Sequence, residues 1–150
     1  MPNASTPDPS KVYFQLLNTT GPYLNFGPDG LERLHYVVSA AEKFGVKLVS
    51  PFINNCGGMT AYGKAFGNNA TTFYPSTAAQ TAYKTYVKTV VTRYATSSAT
   101  FACELGNEPR CRDCATSVVT NWATENLAIY KEHRPQAYGY PWGRRLACTK

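Results

Sequence analysis

The sequence predicts an α/β fold in which parallel strands are covered by helices. Helical segments with an apolar face alternate with short apolar runs of strand length, in the order helix, strand, helix, strand, helix. Both apolar runs end in polar residues, as strands do when their carboxyl ends carry a functional site. With 150 residues, 43% of them hydrophobic, the chain suits one compact domain with a core.

The first helix is predicted to follow a Pro-, Ser- and Asn-rich lead-in, residues 1–11, which reads as irregular. Asp29 is the expected N-cap, because Glu32 stands three residues later as in a capping box. Gly45 is placed to end the helix. Apolar residues at helical spacing form the predicted buried face: Leu31, Leu34, Val38 and Ala41.

The next elements repeat this plan. Residues 46–53 form an apolar run that suits a buried parallel strand, and residues 100–105 form a second one. Between them a long amphipathic helix is predicted over residues 76–94, and a third helix over residues 116–124. The apolar face of the long helix comprises Ala79, Ala82, Tyr83, Tyr86, Val87, Val90 and Val91.

The distribution of charge argues against a nucleic-acid partner, although the net charge is +6. Residues 1–125 carry ten Lys/Arg against eight Asp/Glu, whereas residues 126–150 carry five against one. The basic excess therefore lies mostly in the last segment. No apolar run reaches 18 residues, so no membrane span is expected.

The first residues show neither the basic nor the apolar region of a signal peptide, so none is expected in this chain. Three N-glycosylation sequons nevertheless begin at Asn3, Asn18 and Asn69. Together with the Cys-x-x-Cys pair described below, they favour an ancestor built for the secretory pathway.

The stretch Glu104-Leu105-Gly106-Asn107-Glu108-Pro109 carries the strongest chemical signal. A carboxylate at the end of a strand, preceded by Asn, is what a retaining glycosidase needs for its acid/base, because Asn can hydrogen-bond the sugar 2-hydroxyl. Taken alone, Glu108 can equally be a solvated loop residue. Glu104 lies within the strand and would need a cation or hydroxyl partner if it were buried.

Cys111 and Cys114 form a Cys-x-x-Cys pair with three interpretations: half a zinc site, a redox pair or a disulfide. A zinc site needs two more ligands, and the other cysteines and histidines show no second spaced pair. A redox pair usually opens a helix in a thioredoxin-like unit. From the residues alone these interpretations stay open.

Four stretches together resemble the family 5 glycoside hydrolases, specifically the fungal endo-β-mannanases. They are Gly30-Leu31-Glu32-Arg33-Leu34 with Tyr36-Val37-Val38; Lys47-Leu48-Val49 with Phe52-Ile53-Asn54-Asn55; Gly57-Gly58-Met59 with Ala61-Tyr62; and Glu104 through Cys111. The resemblance covers about residues 11–125 and implies a partial (β/α)8 barrel over residues 12–125, about strands 3 and 4 with their flanking helices. A complete barrel usually takes about 250 residues.

The resemblance also implies roles for single residues. Glu108 matches the general acid/base, Asn107 a substrate contact, and Cys111 with Cys114 a short-loop disulfide. It implies a secreted, monomeric enzyme that acts on mannan or a related β-glycan and needs neither a metal nor another cofactor.

Several positions depart from the family pattern. No remaining glutamate matches the motif of the second catalytic carboxylate, so the nucleophile is expected to be absent from this chain. The first two barrel strands are missing before Val12, and the loop at Cys56 looks shortened. Cys103 stands where the family usually has Trp, which predicts underpacking there. The sequence does not show the state of Cys56, Cys103 and Cys148.

Residues 126–150 are predicted to be foreign to the fold, because they resemble nothing in the family. When these residues are back-translated and the codons are read one base later, a continuous sequence without a stop codon is possible. It resembles the segment that follows in the family, a helix leading into the fifth strand. This predicts a reading frame that slips by one base near Glu125 and Asn126.

Two hypotheses follow for the function. In the first, the chain is an endo-β-1,4-mannanase, or a broken copy of one, that uses Glu108 with retention and is inactive without the nucleophile. In the second, it is a non-catalytic partial domain that binds polysaccharide weakly or has no function. A β-glucan-active family 5 glycosidase is a further alternative, because the aromatic residues that would select mannan are not in this sequence.

Overall fold

The computed structural model describes residues 3–4, 8, 10–18, 21–55, 58–67, 72–111 and 113–133. It confirms the predicted alternation of helices and parallel strands. In chain order the elements are β1 (Asn3–Ala4), β2 (Gln15–Asn18), β3 (Gly21–Leu24), α1 (Leu31–Lys43), β4 (Leu48–Pro51), α2 (Gly58–Phe66), α3 (Thr77–Arg93), β5 (Thr100–Glu104) and α4 (Thr116–His133).

The strands β4 and β5 form the parallel pair that the sequence predicts, and their register places Ser50 beside Cys103 and Pro51 beside Glu104. An irregularity between Leu48 and Val49 shifts the register at the start of the pair. Since neighbouring residues of a strand point to opposite faces, Cys103 and Glu104 lie on different faces of this sheet. Cys103 is buried, whereas Glu104 is partly exposed.

The predicted helix cap at Asp29 is wrong, because Gly30 is the N-cap of α1 and no side chain caps this end. The Asp29 carboxylate instead accepts a hydrogen bond from the Asn25 side chain at 3.0 Å. The Leu31 amide donates to the Asn25 carbonyl at 2.7 Å. A side chain at position 30 would lie 2.2 Å from that same carbonyl oxygen, so the close approach requires glycine.

The other end of α1 follows the prediction. Gly45 adopts φ +68° just after the last turn. Its amide donates to the Glu42 carbonyl at 3.2 Å, and the Val46 amide donates to the Ala41 carbonyl at 2.8 Å. This is a Schellman motif, in which a left-handed residue satisfies the last carbonyl groups of a helix.

A hairpin that the sequence analysis did not predict precedes α1. The strands β2 and β3 pair antiparallel, and β1 pairs parallel with β2. The prediction that residues 1–11 are irregular is therefore wrong at Asn3–Ala4. Gln15 of β2 is only 1% exposed. Its side chain accepts a hydrogen bond from the Tyr62 hydroxyl at 2.6 Å and donates to the Ala82 carbonyl at 3.2 Å. The buried amide therefore ties the hairpin to α2 and α3.

The helices pack around an aromatic cluster, defined as Tyr62, Phe73, Tyr74, Tyr83 and Trp122, which are all buried. Their ring centroids lie 5.2 to 6.5 Å apart, mostly edge to face. Such arrangements stabilise beyond the area that they bury. All seven residues predicted for the apolar face of α3 are buried as well.

Helix α4 begins at the predicted position but continues to His133, past the predicted end at residue 124. Helix α2 was not predicted at all. Its short Gly-rich stretch gives a weak periodic signal, and packing against β2 and α3 completes it.

Cys103 lines a small cavity of about 20 Å³ between the sheet and the helices, and the predicted underpacking at this position stays a prediction. The other lining residues are Leu34, Val38, Ser50, Val90, Val91, Tyr94 and Thr100. Cys103 is a buried thiol. Cys56 and Cys148 lie outside the described residues.

Candidate active site

The polar residues that follow β4 and β5 meet at one edge of the parallel sheet, as predicted. Asn54 and Asn107 form an isolated parallel bridge just beyond the two strands. The Asn107 amide donates to the Ile53 carbonyl at 2.8 Å, and the Asn55 amide donates to the Asn107 carbonyl at 3.2 Å. Two backbone hydrogen bonds thus fix Asn107 at the position where α/β enzymes carry their chemistry.

Glu108 extends from this edge into solvent. Its backbone adopts φ +49°, and among the described residues no other non-glycine residue has a positive φ. This left-handed conformation is costly for a residue with a side chain and persists only where neighbouring contacts hold it. The side chain is 54% exposed, so the carboxylate is accessible to a large ligand.

Arg110 pairs with Glu108, with 2.9 Å between Nη2 and Oε2. Both side chains are more than half exposed, and ion pairs of this kind contribute little to stability. The carboxylate can therefore exchange Arg110 for a ligand at small cost. Arg110 lies within the stretch from Glu104 to Cys111, but no local feature of the sequence predicts its pairing with Glu108.

Gly106 allows the loop before Glu108 to approach the core closely. A side chain here would lie 3.1 Å from Cγ2 of Ile53 and 3.4 Å from the ring of Trp122. Glycine removes this obstruction, so the segment that carries Asn107 and Glu108 can lie directly on the aromatic cluster.

Two tyrosine hydroxyl groups bind the backbone on either side of Asn107 and Glu108. The Tyr83 hydroxyl donates to the Leu105 carbonyl at 2.5 Å, and the Tyr74 hydroxyl donates to the Arg110 carbonyl at 3.2 Å. Burial raises the pKa of Tyr74 to about 12, although its hydrogen bond to Arg110 opposes the shift. Burial also raises the pKa of Tyr83 well above its usual value. From its helical spacing Tyr83 is predicted only as a core residue, and Tyr74 carries no local signal, since nothing in the nearby sequence marks either as a partner of this loop.

The disulfide between Cys111 and Cys114 is present, with 5.3 Å between the Cα atoms. Each sulfur is bonded to the other, which excludes the pair as zinc ligands in this state. The disulfide closes the loop directly after Glu108 and Arg110.

Glu104 is the other carboxylate near this edge. It lies at the end of β5 beside Pro51, and its carbonyl accepts the Phe52 amide at 2.8 Å. Partial exposure removes the need for the buried partner that a fully enclosed carboxylate would require. Three further carboxylates have partners away from this edge: Asp29 with Asn25, Glu42 with Ser97 and Glu125 with Lys84.

The structure describes the asparagines of two of the three sequons. Asn18 ends β2 and pairs with Gly21 in the hairpin register, and Asn3 lies in β1. Asn69 is outside the described residues. Glycosylation at these positions stays a prediction.

Within the described ranges, three or more His, Cys, Asp or Glu side chains never gather in a group that could hold a metal ion. In the same part of the chain, the helices are too short or too polar to cross a membrane.

The chain is similar in sequence to known glycoside hydrolases. A sequence model of the cellulase family (glycosyl hydrolase family 5) matches residues 10–136. Mannan endo-1,4-beta-mannosidase A of Hypocrea jecorina is 55% identical over 121 residues, which is 79% of this chain and 28% of that protein. Mannan endo-1,4-beta-mannosidase A of Aspergillus aculeatus is 51% identical over 129 residues, 83% of this chain and 34% of that protein.

A third relative is the probable mannan endo-1,4-beta-mannosidase F of Neosartorya fischeri. It is 49% identical over 136 residues, covering 87% of this chain and 30% of that protein. The chain thus spans about three tenths of the length of these relatives. Since the family model matches most of the chain, the protein belongs to the cellulase family, glycosyl hydrolase family 5.

Proposed function

We propose that this chain carries the acid/base half of an endo-β-1,4-mannanase, which hydrolyses β-1,4-mannosidic bonds in mannans. The observation that supports this most directly is the position of Glu108, exposed at the carboxyl edge of the parallel strands next to Asn107. The relatives named mannan endo-1,4-beta-mannosidase favour mannan as the substrate.

In the proposed reaction, Glu108 protonates the glycosidic oxygen as the bond breaks, and then removes a proton from the attacking water. Asn107 contacts the sugar beside the scissile bond. A hydrogen bond to the 2-hydroxyl strengthens in the oxocarbenium-like transition state, so Asn107 contributes to catalysis as well as to binding.

The proposed architecture is part of a (β/α)8 barrel, in which β4 and β5 are about the third and fourth barrel strands. In such barrels the site lies at the carboxyl ends of the strands, where Asn54, Asn107 and Glu108 lie here. The domain proposed for this role is residues 12–125.

Retention requires a second carboxylate about 5–5.5 Å from the first. Three of the other carboxylates are bound to partners elsewhere, and no glutamate here matches the nucleophile motif. We therefore place the nucleophile outside these 150 residues and expect no hydrolysis by this chain alone. Secretion, a monomeric state and a polysaccharide partner belong to the same proposal.

The test is a reducing-sugar assay on mannan and on a soluble β-glucan. It compares this chain with a version in which the proposed frame slip near residue 126 is corrected. Glu108→Gln is the variant, and Glu125→Gln is the matched control, because Glu125 is exposed and pairs with Lys84.

We expect mannan hydrolysis only by the corrected chain, lost at least 1,000-fold in Glu108→Gln and kept in Glu125→Gln. Turnover by the 150-residue chain would overturn the assignment of the nucleophile. Hydrolysis of β-glucan in place of mannan would contradict the proposed substrate. If either chain binds mannan and neither hydrolyses it, the result would favour a non-catalytic domain.

A further inference from the structure

Two buried hydroxyl groups flank the residues proposed for catalysis. We propose that Tyr74 and Tyr83 are positioning residues, which hold Asn107 and Glu108 in place by binding the carbonyl groups of Leu105 and Arg110. The inference rests on the proposed function, because it concerns how the residues proposed for catalysis are held in position.

The two tyrosines pack against the same side chain. Tyr83 lies in α3, and Tyr74 lies two residues before the Ser76 cap of that helix. Both rings pack on Trp122 of α4 with centroids 5.5 Å away, and both are almost fully buried. Because side chains this enclosed occupy fixed rotamers, their hydroxyl oxygens are fixed points for the loop.

The loop needs such points because β5 ends at Glu104 and the strand ladder does not continue through Glu108. Asn107 is still bonded to Ile53, but Glu108 adopts its left-handed backbone beyond the last ladder contact. A conformation of this cost persists only when contacts on both sides determine it. The Tyr83 contact lies three residues before Glu108, and the Tyr74 contact lies two residues after it.

The chemistry of the hydroxyl groups suits this role. Carbonyl groups only accept hydrogen bonds, so each tyrosine must stay protonated to donate. Burial raises the pKa of both hydroxyl groups, which keeps them donors through neutral and mildly alkaline solution.

The test deletes single hydroxyl groups and reads the loop directly. Tyr74→Phe and Tyr83→Phe remove the two loop contacts and keep the rings. Tyr74→Phe also removes the longer contact of that hydroxyl with Met59 Sδ at 3.9 Å. Tyr94→Phe is the matched control, because Tyr94 is equally buried and its hydroxyl donates to the Leu31 carbonyl, away from this loop. Amide hydrogen exchange is measured at Asn55 and Asn107, relative to amides in the middle of α3.

We expect exchange at Asn55 and Asn107 to accelerate about five- to tenfold in both loop variants, and to remain unchanged relative to α3 in Tyr94→Phe. Equal acceleration throughout the chain, or none at the loop, would show a purely structural role and overturn the inference. If Tyr83→Phe fails to fold, Tyr74→Phe decides the question, because its longer bond lies nearer the surface.

A kinetic measurement on the frame-corrected chain separates this inference from the proposed function. Displacement of the acid/base lowers kcat about tenfold and leaves KM nearly unchanged, whereas Tyr94→Phe changes neither. Equal kcat in the loop variants and the parent would contradict the inference. Failure of the parent to cleave mannan would contradict the proposed function alone, because the exchange experiment needs no substrate.

Discussion

Glu108 combines an accessible carboxylate with a backbone conformation that its side chain disfavours. In the described part of the chain, the other positive φ values belong to glycines. Selection for stability alone would place Gly or Asn here, since both tolerate this region. A glutamate at this point supports the proposed acid/base role, and the strain is local to that residue.

This strain predicts an order of stability among variants of Glu108. Glu108→Gly is expected to be about 1 kcal/mol more stable than Glu108→Ala, because only glycine relieves the left-handed backbone. Both variants lose the exposed ion pair with Arg110. The difference between their free energies of unfolding therefore reports only the backbone strain at position 108. Urea unfolding monitored by circular dichroism measures it, and equal stability of the two variants would refute the assigned strain.

Asn126 is buried, and its side-chain oxygen accepts no hydrogen bond from the described residues. Its amide nitrogen donates to the Trp122 carbonyl one turn earlier, at 2.8 Å. An orphaned buried acceptor destabilises a fold by about 1–3 kcal/mol.

We expect Asn126→Leu, which nearly conserves volume, to raise the free energy of unfolding by about 1 kcal/mol. Asn126→Asp serves as the opposite control and is expected to lower it, since a buried charge is introduced. Thermal denaturation of both variants checks the pair. Destabilisation by leucine would show that the oxygen has a partner in solution.

Among the elements, α3 is the one that organises the site, and its cap is local in origin. Ser76 is the N-cap, and its hydroxyl accepts the Ala79 amide at 3.3 Å. This cap fixes where α3 begins and therefore the level at which Tyr83 reaches the Leu105 carbonyl.

Removal of the cap by Ser76→Ala is expected to cost about 1 kcal/mol of stability, whereas Ser76→Asp retains an acceptor and is expected to cost little. Guanidinium unfolding distinguishes the two variants. If both lose the same stability, the hydroxyl contact is not what stabilises the start of α3.

Helix α4 includes the first residues of the segment that is predicted to be foreign to the fold. The helix runs to His133 and the family match reaches residue 136, so both pass the point near Glu125 where the sequence analysis places a frame slip. The slip stays a prediction. Sequencing the transcript tests the predicted slip. If the shifted reading frame reaches a stop codon within a few codons, the slip is ruled out.

For the whole molecule, the tyrosines of the aromatic cluster link stability to pH. Burial raises the pKa of Tyr74 to about 12 and the pKa values of Tyr62 and Tyr83 well above the usual value near 10. The unfolded chain therefore loses these protons at lower pH than the folded chain. Their contribution is complete below about pH 10 and falls as the pH rises above it.

Alkaline unfolding is thus expected to begin between pH 10 and 12, with tyrosinate absorbance near 295 nm rising together with the loss of helical circular dichroism. Each buried tyrosine lowers the free energy of unfolding by about 1.4 kcal/mol per pH unit in that range. Tyrosinate absorbance that rises fully while the helical signal persists would show that these hydroxyl groups are not buried.

The parallel sheet also leaves apolar groups uncovered. Val49 is 54% exposed and Phe101 is 48% exposed, and within the described residues β4 and β5 pair only with each other. A two-stranded sheet with open edges and exposed apolar side chains favours association between copies. We therefore expect the isolated chain to aggregate as its concentration rises.

Local residue patterns were enough to predict several parts of this molecule. The buried face of α3, the glycine end of α1, the parallel strands and the polar residues at the strand ends follow from helical spacing, strand length and turn chemistry, which act within a few residues. The resemblance to the family supplied the role proposed for Glu108 and the disulfide that the structure contains.

Contacts between residues far apart in the chain settled the rest. The hairpin depends on a buried Gln15 whose partners are 47 and 67 residues away. The tyrosine contacts to the Glu108 loop span 22 and 36 residues. Such hydrogen bonds exist only after the helices have packed, because the unfolded chain satisfies the same groups with water.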